Sequence, residues 1–441
     1  MGNASRTVSI ADFGAVAGDR PQTAAIQQAI DHVHQAGGGT VAVPTGRFTT
    51  GGLMLRSNVT LWLRCGATLA GSRELADYVT PDAATASEAD LAPGAYNPHS
   101  RWNSAILKAC DAENIAIIGE EGSTLDGQNA YDPQGEENFR GPHAIGIHRC
   151  RNVTFRGYTV VNSANWAHTV FYSENITAEN LRVLGGHDGV HFRRCDNVLV
   201  RNCLFETGDD CVAGFANRNV VIQNCRINTS CSGLRFGGTN VLVEDCHFYG
   251  PGKWPHRVRM PQEDKAAGVN GSPENWPHRP WTLSAITYFC DLSLPVTARP
   301  GNFVVRNCRV ENVDKFLHYN FSGNEQWQGG SPLEDIHFEN VEISGVLGPC
   351  VVYADAKVPL VLTMDNVTFR LADGAENAGF MQAAHFKFIR LKNVTLPNAA
   401  APLIKTWSEG PGKIVFDNVT TPVPESKRIV MASEPFFSKP I

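Results

Sequence analysis

The chain has 441 residues, 42% of them apolar, with 41 glycines, 25 prolines and a formal net charge of −6 at pH 7. That composition supplies a substantial core and many turns, and the acidic balance argues against a nucleic-acid partner. No apolar run approaches the ~18 residues of a membrane span, so no membrane partner is expected. The opening MGNASRTVSIADFG has no apolar h-region, so the chain is expected to be cytoplasmic, or secreted with a signal removed.

Residues 8–50 read as an N-terminal cap. Ile26, Ala29, Ile30 and Val33 have helical spacing, Asp19 and Pro21 supply a start signal, and Gly37, Gly38 and Gly39 stop the helix. Val41-Ala42-Val43-Pro44 begins the strands, and Asn58 to Leu63 is the first clear alternating rung. A Pro/Ala-rich excursion near residues 80–100 reads as a loop. Rungs then start at Asn114, Asn152, Asn175, Asn197, Asn219 and Asn240, and the last five are 23, 22, 22 and 21 residues apart. A period in this range marks a solenoid, in which each repeat buries its apolar face only against its neighbours. Short strands between Asn/Asp/Gly turns, with no helices between them, indicate an all-β parallel β-helix. Asn tolerates the left-handed backbone of such turns, and stacked Asn side chains can hydrogen-bond along the axis.

The rhythm breaks over residues 249–288, an insert rich in Trp, Pro, His and Arg in which Trp-Pro-His-Arg occurs twice, starting at Trp254 and Trp276. A long loop on a rigid scaffold tends to carry function, and this one is expected to wall the cleft. Rungs resume at Asn302 and Asp335, weaker ones follow to about residue 419, and residues 421–441 read as a C-terminal strap. Residues 1–441 are therefore expected to form a single β-helix domain.

The densest chemistry lies between Gly186 and Gly237. Asp188, Asp210 and Ser232 recur every 22 residues, as do Val190, Val212 and Leu234. If each repeat is one coil, residues one repeat apart lie about 4.8 Å apart, and Asp188, Asp209 and Asp210 converge on one patch. Such a group can supply both a proton donor and a base, because mutual repulsion raises one carboxyl pKa and leaves another ionised. Equally, Asp188 and Asp210 can be turn residues that bind backbone N–H groups. The same register puts His191, Ala213 and Arg235 in one outward column beside the acids. Of the 12 cysteines, Cys203, Cys225, Cys246 and Cys308 occupy one slot of the repeat, as buried free thiols would. No Cys-x-x-Cys pair is present, and neither a metal site nor a cofactor is expected.

Taken together, Asp12-Phe13-Gly14-Ala15, Leu125-Asp126-Gly127, Asn165-Trp166, Asp188-Gly189 and Gly208-Asp209-Asp210 resemble glycoside hydrolase family 28, the polygalacturonase family of right-handed parallel β-helices. The resemblance implies an inverting glycosidase in which Asp209 is the general acid, while Asp188 and Asp210 hold and deprotonate the attacking water. It also marks departures. The family's Asn-Thr-Asp reads Gly186-His187-Asp188, its Gly-His-Gly reads Cys231-Ser232-Gly233, and its Arg-Ile-Lys falls at His318-Tyr319-Asn320. The cations that would hold a galacturonate carboxylate are missing, so a plant- or microbe-derived glycan other than ordinary polygalacturonan is expected. His187, His191, Ser232, Arg235, His318, Asn320, Tyr353, His168 and Trp254 are the expected substrate contacts. Two other classes fit the same scaffold. One is a polysaccharide lyase or sugar epimerase, and the other a non-catalytic carbohydrate-binding β-helix.

Overall fold

The computed structural model describes residues 7–78, 103–256, 282–290, 298–321, 330–407 and 412–432. The expected loop at 80–100, most of the insert and the last nine residues of the strap lie outside the described residues. The chain divides into two compact units, residues 1–209 with 254–278, and residues 210–253 with 279–441. Strands within each unit pair in parallel with the coil before and the coil after, and the fold class is the right-handed parallel β-helix.

The first unit opens with the capping helix, Thr23–Gln35, whose face of Ile26, Ala29, Ile30 and Val33 is fully buried. The glycine stop falls where the sequence puts it, with Gly37 and Gly38 at φ 94° and 115°. The start does not. Gly18–Pro21 forms a strand against Phe48 and Thr49, and Gln22 is the N-cap. Edge pairing takes the Asp19–Pro21 segment because its backbone finds partners there that one more helical turn would forfeit. Gln27 shows what a cap does for an open coil end. Its side chain accepts from the Met54 N–H at 2.8 Å and donates to the Met54 carbonyl at 2.9 Å, satisfying backbone that would otherwise template another strand.

Successive rungs of this unit align residue for residue. Glu113, Arg151, Glu174 and Asp196 share one column, as do Ile115, Val153, Ile176 and Val198. Where the chain enters these strands, Asn58, Asn114, Asn152, Asn175 and Asn197 all hold φ between 55° and 64°. Each Asn side-chain amide donates to the side-chain oxygen of the Asn below it, at 2.8–3.0 Å. One residue type thus meets both demands of the turn, a left-handed backbone and a polar group whose partner is its own copy one coil away.

The second unit keeps the period. Val212, Leu234, Ile286 and Leu317 form one inward column, all buried. Thr282–Tyr288 is itself one of these rungs, so the interruption ends earlier than the 249–288 reading places it. The strap is regular where described, since Ile429–Ala432 pairs with Ile404–Trp407. All 12 cysteines are free thiols. Cys225, Cys246 and Cys308 are buried, and each S–H donates to the carbonyl two residues back, at 3.2–3.3 Å. Cys203 in the first unit does the same. A small apolar side chain with a weak donor suits that slot.

Candidate active site

In the first unit, Asp188 and Asp209 occupy the turns that lead into or follow short strands, Val190–Arg193 for Asp188 and Leu204–Thr207 for Asp209. One carboxylate oxygen of Asp188 lies within 4.8 Å of one of Asp209. Both acids are withdrawn from bulk water, with side-chain exposures of 4% and 14%. Asp188 is held from within its own turn, since its Oδ2 lies 3.1 Å from His191 Nδ1. The His191 ring stacks flat on Trp166, with centroids 4.0 Å apart, which fixes the imidazole. His191 lies between the core residues Val190 and Phe192, so its ring faces out of the coil, where it supports Asp188 from a position buried by Trp166.

Asp209 sits among cationic side chains. Arg140 Nη2 reaches its Oδ2 at 3.4 Å, and His256 Nε2 reaches the same oxygen at 3.5 Å. Arg140 has a side-chain exposure of 5% and is anchored twice more, by Glu137 at 2.7 Å and by His187 Nδ1 at 3.1 Å. The Arg140 N–H donates to His187 Nδ1, so that nitrogen carries no proton. Phe139 stacks on the other face of His187, centroids 5.7 Å apart. Burial pushes the Asp209 carboxyl up, but His256 and Arg140 outweigh it and hold the group well below the usual carboxylate range. The segment carrying Trp254 and His256 is seated directly on this turn. A Cβ at Gly208 would lie 1.9 Å from the Pro255 carbonyl oxygen and 2.8 Å from that of Gly186, so only glycine fits. Trp254 is half-buried there.

Asp210, the next residue along the chain, begins the second unit. Its Oδ1 accepts from the Ser232 backbone N–H at 3.1 Å, and Arg235 Nε lies 4.0 Å from its Oδ2. The Arg235 guanidinium is spread 3.5 Å over the Phe289 ring. Ser232 Oγ bonds to Thr287 Oγ1 at 3.3 Å, and Thr287 in turn to Ser284 at 2.6 Å. Ala213, Arg235, Thr287, His318, Val351 and Gln382 stack in one column, so Arg235 and His318 stand two coils apart on one face. Burial, with Lys315 and Arg235 nearby, pushes the His318 imidazole down to about 3, so it is neutral at any ordinary pH. Asn320 and Tyr353 are paired neighbours on the adjoining rungs. The Tyr353 hydroxyl donates to Gln382 Oε1 at 2.6 Å, and its ring centroid lies 5.2 Å from that of Trp407.

One expected substrate contact is corrected. His168 is fully buried inside the coil, with Nε2 on the Tyr158 hydroxyl at 3.0 Å and Nδ1 on the Gly189 carbonyl at 3.1 Å. Desolvation lowers its pKa to about 4. It is a neutral core residue whose two nitrogens are both used. Arg140, His256 and Phe289 are the site residues that sequence reasoning missed.

Fold and site together define a parallel β-helix with paired carboxylates on successive turns of its first unit. Residues 39–239 match the model of glycosyl hydrolases family 28. An exo-poly-alpha-D-galacturonosidase of Dickeya chrysanthemi is 28% identical over 266 residues, covering 47% of this chain and 41% of its own. The chain spans less than half the length of the first two curated relatives it matches, 44% and 41%. A hyperthermoactive exopolygalacturonase of Thermotoga maritima covers 94% of this chain over 91% of its own, at 18% identity and a TM-score of 0.63. PfbA, a surface adhesin of Streptococcus pneumoniae, covers the same shares at 17% identity and a TM-score of 0.57. At these identities the two structural likenesses speak for the fold alone.

Proposed function

We propose that this chain is a glycoside hydrolase that cleaves a plant- or microbe-derived oligo- or polysaccharide with inversion, and that its substrate is not ordinary polygalacturonan. The observation that carries the reading is the close pair of Asp188 and Asp209 inside the segment that matches the family. Glycosidic cleavage needs one carboxyl group to protonate the leaving oxygen and one carboxylate to act on the water or sugar. In this reading Asp209 serves the leaving group, and Asp188 holds and deprotonates the water.

The substrate argument rests on charge. A sugar carboxylate is held best by charge-assisted bonds from Arg or Lys. Where the family carries Arg-Ile-Lys, this chain has His318, Tyr319 and Asn320, and the His318 ring is uncharged. Among the described residues Arg235 and Lys315 lie beside His318, and Arg235 is shared between Phe289 and Asp210. Such a face favours sugars that are neutral or carry few carboxylates, although the named relatives are galacturonases.

Inverting enzymes commonly hold their carboxyl groups about 6.5–9.5 Å apart to admit a water. The approach of Asp188 to Asp209 is closer, so the stereochemistry rests on the family resemblance and is the first thing to measure. Reducing-sugar release across pectic, rhamnosyl and other plant glycans, with NMR of the anomer first formed, tests the whole reading. We expect release by the wild-type chain, inversion, and loss of release in Asp209→Asn and Asp188→Asn. Release retained by Asp209→Asn removes its role. The ion-paired state of Asp209 also suits a non-catalytic glycan binder, and tight binding without release, unchanged in both Asp variants, would establish that second reading.

A further inference from the structure

We propose that His256 is the proton reservoir of Asp209, a positioning residue that recharges the acid at each turnover. The inference rests on the hydrolase reading above and deepens it. Among the described residues, three nitrogen-bearing side chains lie beside the Asp209 carboxylate, and they differ in what they can do with a proton near neutral pH. Arg140 remains charged at any working pH, and it is locked by Glu137 and His187. His187 presents to Arg140 the nitrogen that accepts, and the Phe139 ring closes one face of its imidazole. His256 is a fifth exposed, with a side-chain accessibility of 20%, and its Nε2 points at Asp209 Oδ2 from 3.5 Å. Imidazole is the side chain that gains and loses a proton in this pH range. Within its own unit, the contact between Pro255 and Gly208 holds the His256 segment against the turn that carries the acid, so the pairing is built rather than incidental.

The step balances without a further reactant. The His256 Nε2–H bond breaks as an O–H bond forms on Asp209. That proton passes to the glycosidic oxygen as its bond to the anomeric carbon breaks. The water oxygen bonds to that carbon and its proton goes to Asp188. His256 then recovers a proton from solvent and Asp188 returns one to it. His256 and Arg140 together hold Asp209 as a carboxylate at rest, so it becomes an acid only by taking the proton that His256 carries.

The test compares His256→Gln with the wild-type full-length chain on two probes. One is the glycan that the wild type cleaves fastest in the panel. The other is the 2,4-dinitrophenyl glycoside of the sugar or oligosaccharide released, a leaving group that needs little protonation. Proton donation contributes typically about 10²–10⁴-fold, so kcat/KM on the glycan is expected to fall by at least about 10²-fold and on the aryl glycoside only a few-fold. Imidazole added to His256→Ala should restore glycan cleavage in proportion to its concentration, and circular dichroism checks that both variants are folded. Equal losses on both probes, no loss on either, or no rescue by imidazole overturns the inference while the hydrolase reading stands. A wild-type chain that releases sugar from nothing in the panel overturns both.

Discussion

Replacing Arg140 with Met, which has similar bulk and no charge, tests whether the Asp209 turn is held together by an ion pair. The Arg140 side chain is 5% exposed and Asp209 14%, so neither charge is well served by water. Removing one partner of such a pair typically costs about 3–5 kcal/mol, because the other is left buried without its counter-charge. Glu137 loses its partner as well, but at 38% exposure it rehydrates at little cost. His256 still faces Asp209, which places Arg140→Met nearer the lower figure, about 3 kcal/mol. The sign of the pH dependence follows from the depressed Asp209 pKa. Stability from this pair is complete above the unfolded carboxyl pKa of about 3.9 and fades as pH falls from there toward the lower folded value. Urea unfolding followed by tryptophan fluorescence should therefore separate the two proteins widely near neutral pH and bring them together in acid. A loss under about 1 kcal/mol, the range of exposed pairs, or a gap of the same size in acid and at neutrality, would refute the argument.

Other outcomes are as specific. Gly208→Ala places a methyl group 1.9 Å from the Pro255 carbonyl, so the segment 254–256 must lift; we expect about 1–3 kcal/mol of destabilisation together with loss of the His256 contact, read as activity falling further than stability. Asn152→Ala removes two rungs of the amide ladder and puts alanine at φ 57°, for a loss of about 1–3 kcal/mol, whereas Asn152→Gly keeps the backbone and loses less. Thermal melts of the pair give the order, and an alanine variant as stable as the glycine would show that the backbone term is absent. Alkylation with mass-spectrometric readout should modify Cys65 first in the folded chain, while Cys225, Cys246 and Cys308 react only on unfolding. Early labelling at Cys246, whose pKa is raised by the neighbouring Cys225 and Cys308 thiols and by burial, would contradict their packing.

The features that repeat were legible in the sequence, because a solenoid writes each position several times. The Asn turns, the cysteine slot and the apolar columns follow from spacing alone, and so does the approach of Asp188 to Asp209 within one unit. The capping helix was legible at its glycine end and misplaced at its start, where Gly18–Pro21 takes a strand partner that lies 28 or more residues downstream. His168 carried a signal that went unused. It aligns with Ile145 and Val190, and a residue flanked in its column by two aliphatic side chains faces the core. Arg140 carried none and His256 only its place in the Trp-Pro-His-Arg insert, since each lies outside the repeat and reaches Asp209 through a loop. Irregular chain has no register from which a contact can be extrapolated.

In the second unit, Ser232, Leu234 and Arg235 are bonded directly to Ser284, Ile286 and Thr287, although 52 residues separate each pair in sequence. An excursion of any length can leave such a stack and return without moving the rungs on either side. Spacing between reactive groups is thus set by counting coils, while what surrounds them is set by whatever chain the excursion contains. A lineage can therefore exchange one wall of its cleft for another and keep its acids in place, and a designer can graft there with the same freedom.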